Sequence, residues 1–141
     1  MKSVDKSGVE IDHLGIAVRS LKEGLRFYER SLGIHLAHCE TVAHEKVSVA
    51  MLPLSGAVDP PRIELLEASG PESPIARFIE KRGPGLHHIA FRVDHLPSLI
   101  AQLVEEGVEV LGKPKVGAEG RLYVFVHPAS TGGVLIELIQ K

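Results

Sequence analysis

Ile11-Asp12-His13-Leu14-Gly15-Ile16-Ala17-Val18 is a largely apolar, strand-like run with one imidazole, and Leu86-His87-His88-Ile89-Ala90-Phe91-Arg92-Val93 says the same thing again. A second pair of runs echoes in the same way. Arg62-Ile63-Glu64-Leu65-Leu66 is matched by Leu135-Ile136-Glu137-Leu138-Ile139, so each half opens on a His-bearing run and closes on a Glu-bearing one. The offset is 75 residues between the histidines (13 to 88) and 73 between the glutamates (64 to 137). So nearly constant an offset marks a duplicated module. A pseudo-twofold between two such modules would bring the four side chains to one place.

Working outward, Ser20 stands before Leu21, Leu25, Tyr28 and Leu32 at helical spacing, and Gly33 closes the segment, which predicts strand, cap and helix. The stretches 34–42 and 46–54 read as strands, the second alternating through Val47, Val49 and Met51. A Gly- and Pro-containing loop over 55–60 leads into a strand over 61–66. The first half is thus βαβββ. Ser73-Pro74 opens a short bridging helix to about Lys81, stopped by Gly83-Pro84-Gly85. The second half repeats the order with a strand over 86–93, a helix over 96–106 and strands near 108–111, 121–127 and 133–139. The expected organisation is a flexible start over 1–10, a module over 11–70, a bridge over 71–85 and a module over 86–141, all in one compact domain. The fold class is α+β, two tandem βαβββ modules forming a curved, eight-stranded, cup-like sheet whose cup receives the ligand.

Bulk composition narrows the function. At 141 residues and 44% apolar content the chain builds one core and has no room for an extra domain. Sixteen basic against eighteen acidic residues give a formal charge of −2, which offers no long-range pull on nucleic acid or anionic membrane. No apolar stretch reaches the roughly 18 residues of a membrane span, and the polar start is no secretory signal. A cytoplasmic protein is expected. The lone Cys39 excludes an internal disulfide and reads as a partly buried structural thiol.

Two imidazoles and two carboxylates, His13, Glu64, His88 and Glu137, form a mixed nitrogen and oxygen set suited to Mg, Mn, Fe, Co, Ni or Zn with positions left for water or substrate. Taken alone, His13 is an ordinary half-buried strand histidine, whereas Glu64 and Glu137, each flanked by aliphatic residues in a strand, are harder to dismiss as surface charges. Their recurrence in register shifts the reading to one metal site. Side chains alternate along a strand, so His87 points away from His88 and lies outside that site. His35, His38, His44 and His95 have no partner in register and read as surface residues. His127 before Pro128 either lines the pocket or serves a turn.

These residues resemble the vicinal oxygen chelate superfamily, which includes glyoxalase I, extradiol dioxygenases and fosfomycin-resistance proteins. Within it, the run from Ser73 through Ile75-Ala76-Arg77-Phe78-Ile79-Glu80-Lys81-Arg82-Gly83-Pro84-Gly85-Leu86-His87-His88 is similar to the methylmalonyl-CoA epimerase family. The run His127-Pro128-Ala129-Ser130-Thr131-Gly132-Gly133 up to Glu137-Leu138 is similar as well. The resemblance extends over nearly the whole chain from Ile11 and implies a glyoxalase-like fold, with His13, Glu64, His88 and Glu137 as metal ligands. It also implies one divalent ion per chain, Co2+ favoured over Mn2+, Ni2+, Mg2+ or Zn2+, an acyl-CoA substrate in propionate metabolism and a homodimer.

The implied reaction is interconversion of (2R)- and (2S)-methylmalonyl-CoA through an enolate. Inversion needs a proton carrier on each face. The family's acid/base Glu aligns with Ser48, a departure from the pattern, so Glu137 is assigned to one face and Glu45, or a water held by Ser48, to the other. Lys113, Lys115 and Arg121 are the cations available to a CoA tail. Two other readings share the scaffold: a glyoxalase I-like lactoylglutathione lyase, and a non-catalytic, metal-dependent small-molecule binding protein.

Overall fold

A computed structural model describes residues 8–56 and 58–141. The expected flexible start lies, over residues 1–7, outside the described residues. Eight strands form one sheet in the order β2-β3-β4-β1-β5-β8-β7-β6, with β1 Glu10–Ala17, β2 His38–Val42, β3 Val47–Pro53, β4 Arg62–Ala68, β5 Gly85–Val93, β6 Val110–Val116, β7 Leu122–Val126 and β8 Ile136–Gln140. Among the described residues three α-helices accompany them: α1 Leu21–Leu25, α2 Pro74–Arg82 and α3 Leu96–Glu105. By internal contacts the chain divides into two compact units, His13–His87 and the segment up to Asp12 together with His88–Lys141.

In the first unit β1 runs parallel to β4, and β4 and β3, then β3 and β2, are antiparallel. Alternation sorts the side chains. Ala50, Leu52, Ile63 and Leu65 form a buried cluster against which Leu21, Leu25 and Tyr28 pack. Val47, Val49, Leu66 and Ala17 turn to the other face and meet Ile75, with Phe78 and Ile79 beside them, from α2. Gly24 lets α1 approach closely, since a Cβ there would stand 2.9 Å from Leu65 Cδ1.

The expected long first helix is shorter than its spacing predicts. After Leu25 the chain widens into a π-helical segment, Arg26–Ser31, in which Leu32 N–H donates to Phe27 O at 2.8 Å. Widening shifts the side-chain register, so Tyr28 stays on the core while Phe27 and Leu32 are exposed.

In the second unit β5 runs parallel to β8, with β7 and then β6 added antiparallel. Val93, Val124, Val126 and Leu138 are buried with Leu96, and Leu99, Ile100 and Leu103 of α3 complete that cluster.

The duplication extends to how the helices are tied down. Leu21 N–H, at the start of α1, donates to Glu67 Oε1 at 2.7 Å, and Leu96 N–H, at the start of α3, donates to Gln140 Oε1 at 2.8 Å. The separations are again 75 residues (21 to 96) and 73 (67 to 140). In both units the residue three positions after the Glu of interest satisfies one of the orphan amides of a helix N-terminus.

Candidate functional site

In the first unit the parallel register sets Gly15 opposite Glu64 and His13 opposite Arg62, so His13 and Glu64 share one face of the sheet. His13 Nε2 stands 3.6 Å from Glu64 Oε1, with the side chains 5% and 13% exposed. The second unit builds the same pair. Ala90 is opposite Glu137, His88 lies two residues earlier, and His88 Nε2 stands 3.2 Å from Glu137 Oε1 with the same 5% and 13% exposure. Opposite each Glu sits a residue with little or no side chain, Gly15 in one unit and Ala90 in the other.

The spacings are compatible with a shared metal ion. Two donors each about 2.1 Å from one ion stand roughly 3.0 Å apart at octahedral angles and roughly 3.4 Å apart at tetrahedral ones. The observed 3.2 and 3.6 Å bracket the second value. Neutral imidazole with ionised carboxylate is also the donor chemistry that borderline divalent ions take. The His88 ring is steadied edge-on by Phe125, centroid to centroid 5.8 Å, and Phe125 is the cross-strand partner of Glu137.

Ser48 does not belong to this face. It pairs with Glu67, whereas Met51 pairs with Glu64, so parity sends Ser48 with Ala50 and Leu52 to the α1 side. There its hydroxyl is 3.0 Å from Thr41 Oγ1. Val49, one residue on, is the position that turns toward the Glu64 face. Strand register thus places Ser48 on the sheet face opposite the one that carries Glu64.

Glu45 ends a 3-10 turn, Ala43–Glu45, with its side chain 45% exposed and 3.8 Å from His44 Nε2. Val47 lies four residues, about 13 Å along the strand, from Met51, the partner of Glu64. The strand does not bring Glu45 to the pair.

Other expectations sort readily. His87 meets the Phe78 ring edge-on at 4.9 Å. His127 takes the turn role, its Nδ1 accepting from Ala129 N–H at 2.9 Å. His95, read as a surface residue, is exposed but also caps α3, its Nδ1 2.7 Å from Ser98 Oγ. Cys39 is exposed on β2 and is not the partly buried thiol expected, because β2 forms the edge of the sheet.

Arg121, considered for a CoA tail, is engaged inside its unit. Asp12 is fully buried and its Oδ1 accepts from Arg92 Nη1 and Arg121 Nη2, each at 3.3 Å. This network escaped the sequence reading, since its members lie 80 and 109 residues apart. The available signal was a charged residue inside each apolar run, Asp12 after Ile11 and Arg92 between Phe91 and Val93.

Residues 12–125 match the family described as the Glyoxalase/Bleomycin resistance protein/Dioxygenase superfamily. The chain belongs to this superfamily. Its fold is the glyoxalase-like one that the resemblance implies. Among curated relatives, the Bacillus subtilis protein YqjC is 41% identical over 131 residues, 92% of this chain and 91% of its own. Among solved structures, a methylmalonyl-CoA epimerase from Mycobacterium tuberculosis superposes with a TM-score of 0.87 at 34% identity, covering 98% of this chain and 92% of that one. A methylmalonyl-CoA epimerase in complex with methylmalonyl-CoA and NH4+ gives 0.87 at 33% identity, covering 96% of each chain. Among the described residues no helix is long and apolar enough to cross a membrane.

Proposed function

We propose that this superfamily member is a metal-dependent methylmalonyl-CoA epimerase. The observation that carries the reading is the His–Glu pair built twice in the same strand register, in a fold shared along nearly its whole length with epimerases. The ligands are His13, Glu64, His88 and Glu137, serving one divalent ion per chain. Three of them, His13, Glu64 and His88, make a donor group able to hold a metal ion. Resemblance favours Co2+, and the donor set also accepts Mn2+, Ni2+, Mg2+ and Zn2+.

When bound, a divalent ion held by His13, Glu64, His88 and Glu137 would supply Lewis acidity for the charge that develops on the thioester oxygen. Glu137, only 13% exposed, takes the proton between thioester and carboxylate in one direction. Burial around it limits access of competing water. Inversion requires a second proton carrier, a role the sequence offers to Glu45, which precedes the start of β3, itself about 13 Å along the strand from the partner of Glu64. The same reading extends to a cytoplasmic homodimer, for which exposed Phe27 and Leu32 supply apolar surface. Light scattering would then report twice the chain mass.

The test is incubation of metal-loaded protein with methylmalonyl-CoA in D2O, with an EDTA-treated control. Metal-dependent deuterium uptake at the α-carbon is expected. No uptake with any of the five ions overturns the reading, and turnover of methylglyoxal with glutathione would replace it with the lyase. Retained metal without exchange would point to a binding protein.

A further inference from the structure

The face that carries His88 and Glu137 holds another group able to carry a proton. Strand parity places Ala90 and Arg92 of β5, Ile139 of β8, Phe125 and Tyr123 of β7, and Leu111 and Lys115 of β6 on that face. Ala, Ile, Phe and Leu have no exchangeable side-chain proton, and Arg stays charged throughout the working pH range. Lys115, on the edge strand and one strand farther from Glu137, is exposed, which leaves Tyr123 as the half-buried proton-bearing group next to the strand of Glu137. Its partner across the strands is Ile139, two residues from Glu137, so the two strand positions are diagonal neighbours about 7–8 Å apart, a spacing that long side chains on one face can bridge.

The ring is held in place. It meets Phe125 edge-on at 6.0 Å, and Phe125 meets His88 edge-on at 5.8 Å, so the phenol is tied through one ring to a metal-ligand candidate. Gly117 also packs against the ring and leaves room that no other residue would, since a Cβ there would stand 2.7 Å from Tyr123 Cδ1. The duplication also marks the position. Phe125 and Met51 each pair with the Glu of their unit, so Tyr123 corresponds to Val49, which has no proton to give.

We infer that Tyr123 is the second proton carrier of the epimerisation, an assignment that rests on the epimerase reading above. In one direction the Oη–H bond breaks as its proton passes to the α-carbon, the enolate electron pair forms the new C–H bond, and a phenolate remains. In the other direction the phenolate takes the α-proton. The proton taken by the opposing carboxylate returns to water and water reprotonates the phenolate, so each turnover balances without another reactant.

The experiment is Tyr123→Phe, which keeps the ring contacts, assayed in D2O from each pure epimer with metal content measured in parallel. Epimerisation should fall by about 100-fold or more, with KM and metal content unchanged. Deuterium should still enter one epimer without inversion, because the opposing base continues to remove and return that proton. A merely structural role would slow exchange and inversion equally from both epimers, and that result, or a wild-type epimerisation rate, overturns the assignment. Wild-type protein that exchanges no deuterium fails the epimerase reading itself, an outcome separate from any behaviour of the variant.

Discussion

Two residues adjacent in sequence, Ser48 and Val49, face opposite sides of β3, and only the second shares a face with Glu64. Ser48→Ala should therefore leave deuterium exchange within about twofold of wild type and cost stability only the exposed hydroxyl contact with Thr41, about 0.5–1 kcal/mol. A large loss of exchange in that variant would refute the register argument. The proximity of His13 to Glu64 and of His88 to Glu137 was legible because duplication printed the pair twice. The facing of Ser48 was not, because it depends on which residue of β3 stands opposite Glu64, a fact of pairing. Asp12, Arg92 and Arg121 were hidden for a related reason: the energy of burying a charge is settled by partners that sequence separation conceals.

The elements are organised by ties that repeat. Gln140 bonds the first amide of α3 as Glu67 bonds that of α1, so Gln140→Ala should destabilise the fold by about 1 kcal/mol in urea titration. An unchanged midpoint would show that water replaces the cap at no cost. The start of β1 is tied to the end of the chain by Lys141 Nζ, 2.8 Å from Glu10 Oε1 and 3.1 Å from Asp94 Oδ1. Hydrogen bonding from Lys141 holds the Glu10 carboxyl below its ordinary value, and the same bond holds Lys141 above its own.

A lowered carboxyl contributes stability that is present above the unfolded value, about 4.3, and is lost as pH falls through the lowered one. The raised amine contributes below about 10.4 and loses its share as pH rises through the raised value. Lys141→Ala should thus show a weaker fall in melting temperature than wild type at both extremes, and parallel curves would contradict this. Helix and strand order was legible from periodicity, but several bounds were not. Gly112 and Pro114 disguise β6, read near 108–111 and found at Val110–Val116. The π-helical segment after Leu25 ends α1 earlier than helical spacing suggests.

For the whole molecule, the central claim is that two copies of one module each contribute a His–Glu pair to a single divalent ion. Both units build the same pair, because the register that opposes Gly15 to Glu64 in one recurs in the other as Ala90 opposed to Glu137. A ligand bound only by the folded state stabilises it by mass action, so EDTA treatment should lower the melting temperature and Co2+ should restore it. The most direct measurement is calorimetric titration of metal-free protein with Co2+, carried out on wild type, His13→Ala and His88→Ala. The account predicts one ion per chain in wild type, with affinity reduced at least about tenfold in both variants. Two ions per chain, or full affinity in either variant, would mean that the pairs act separately and would contradict it.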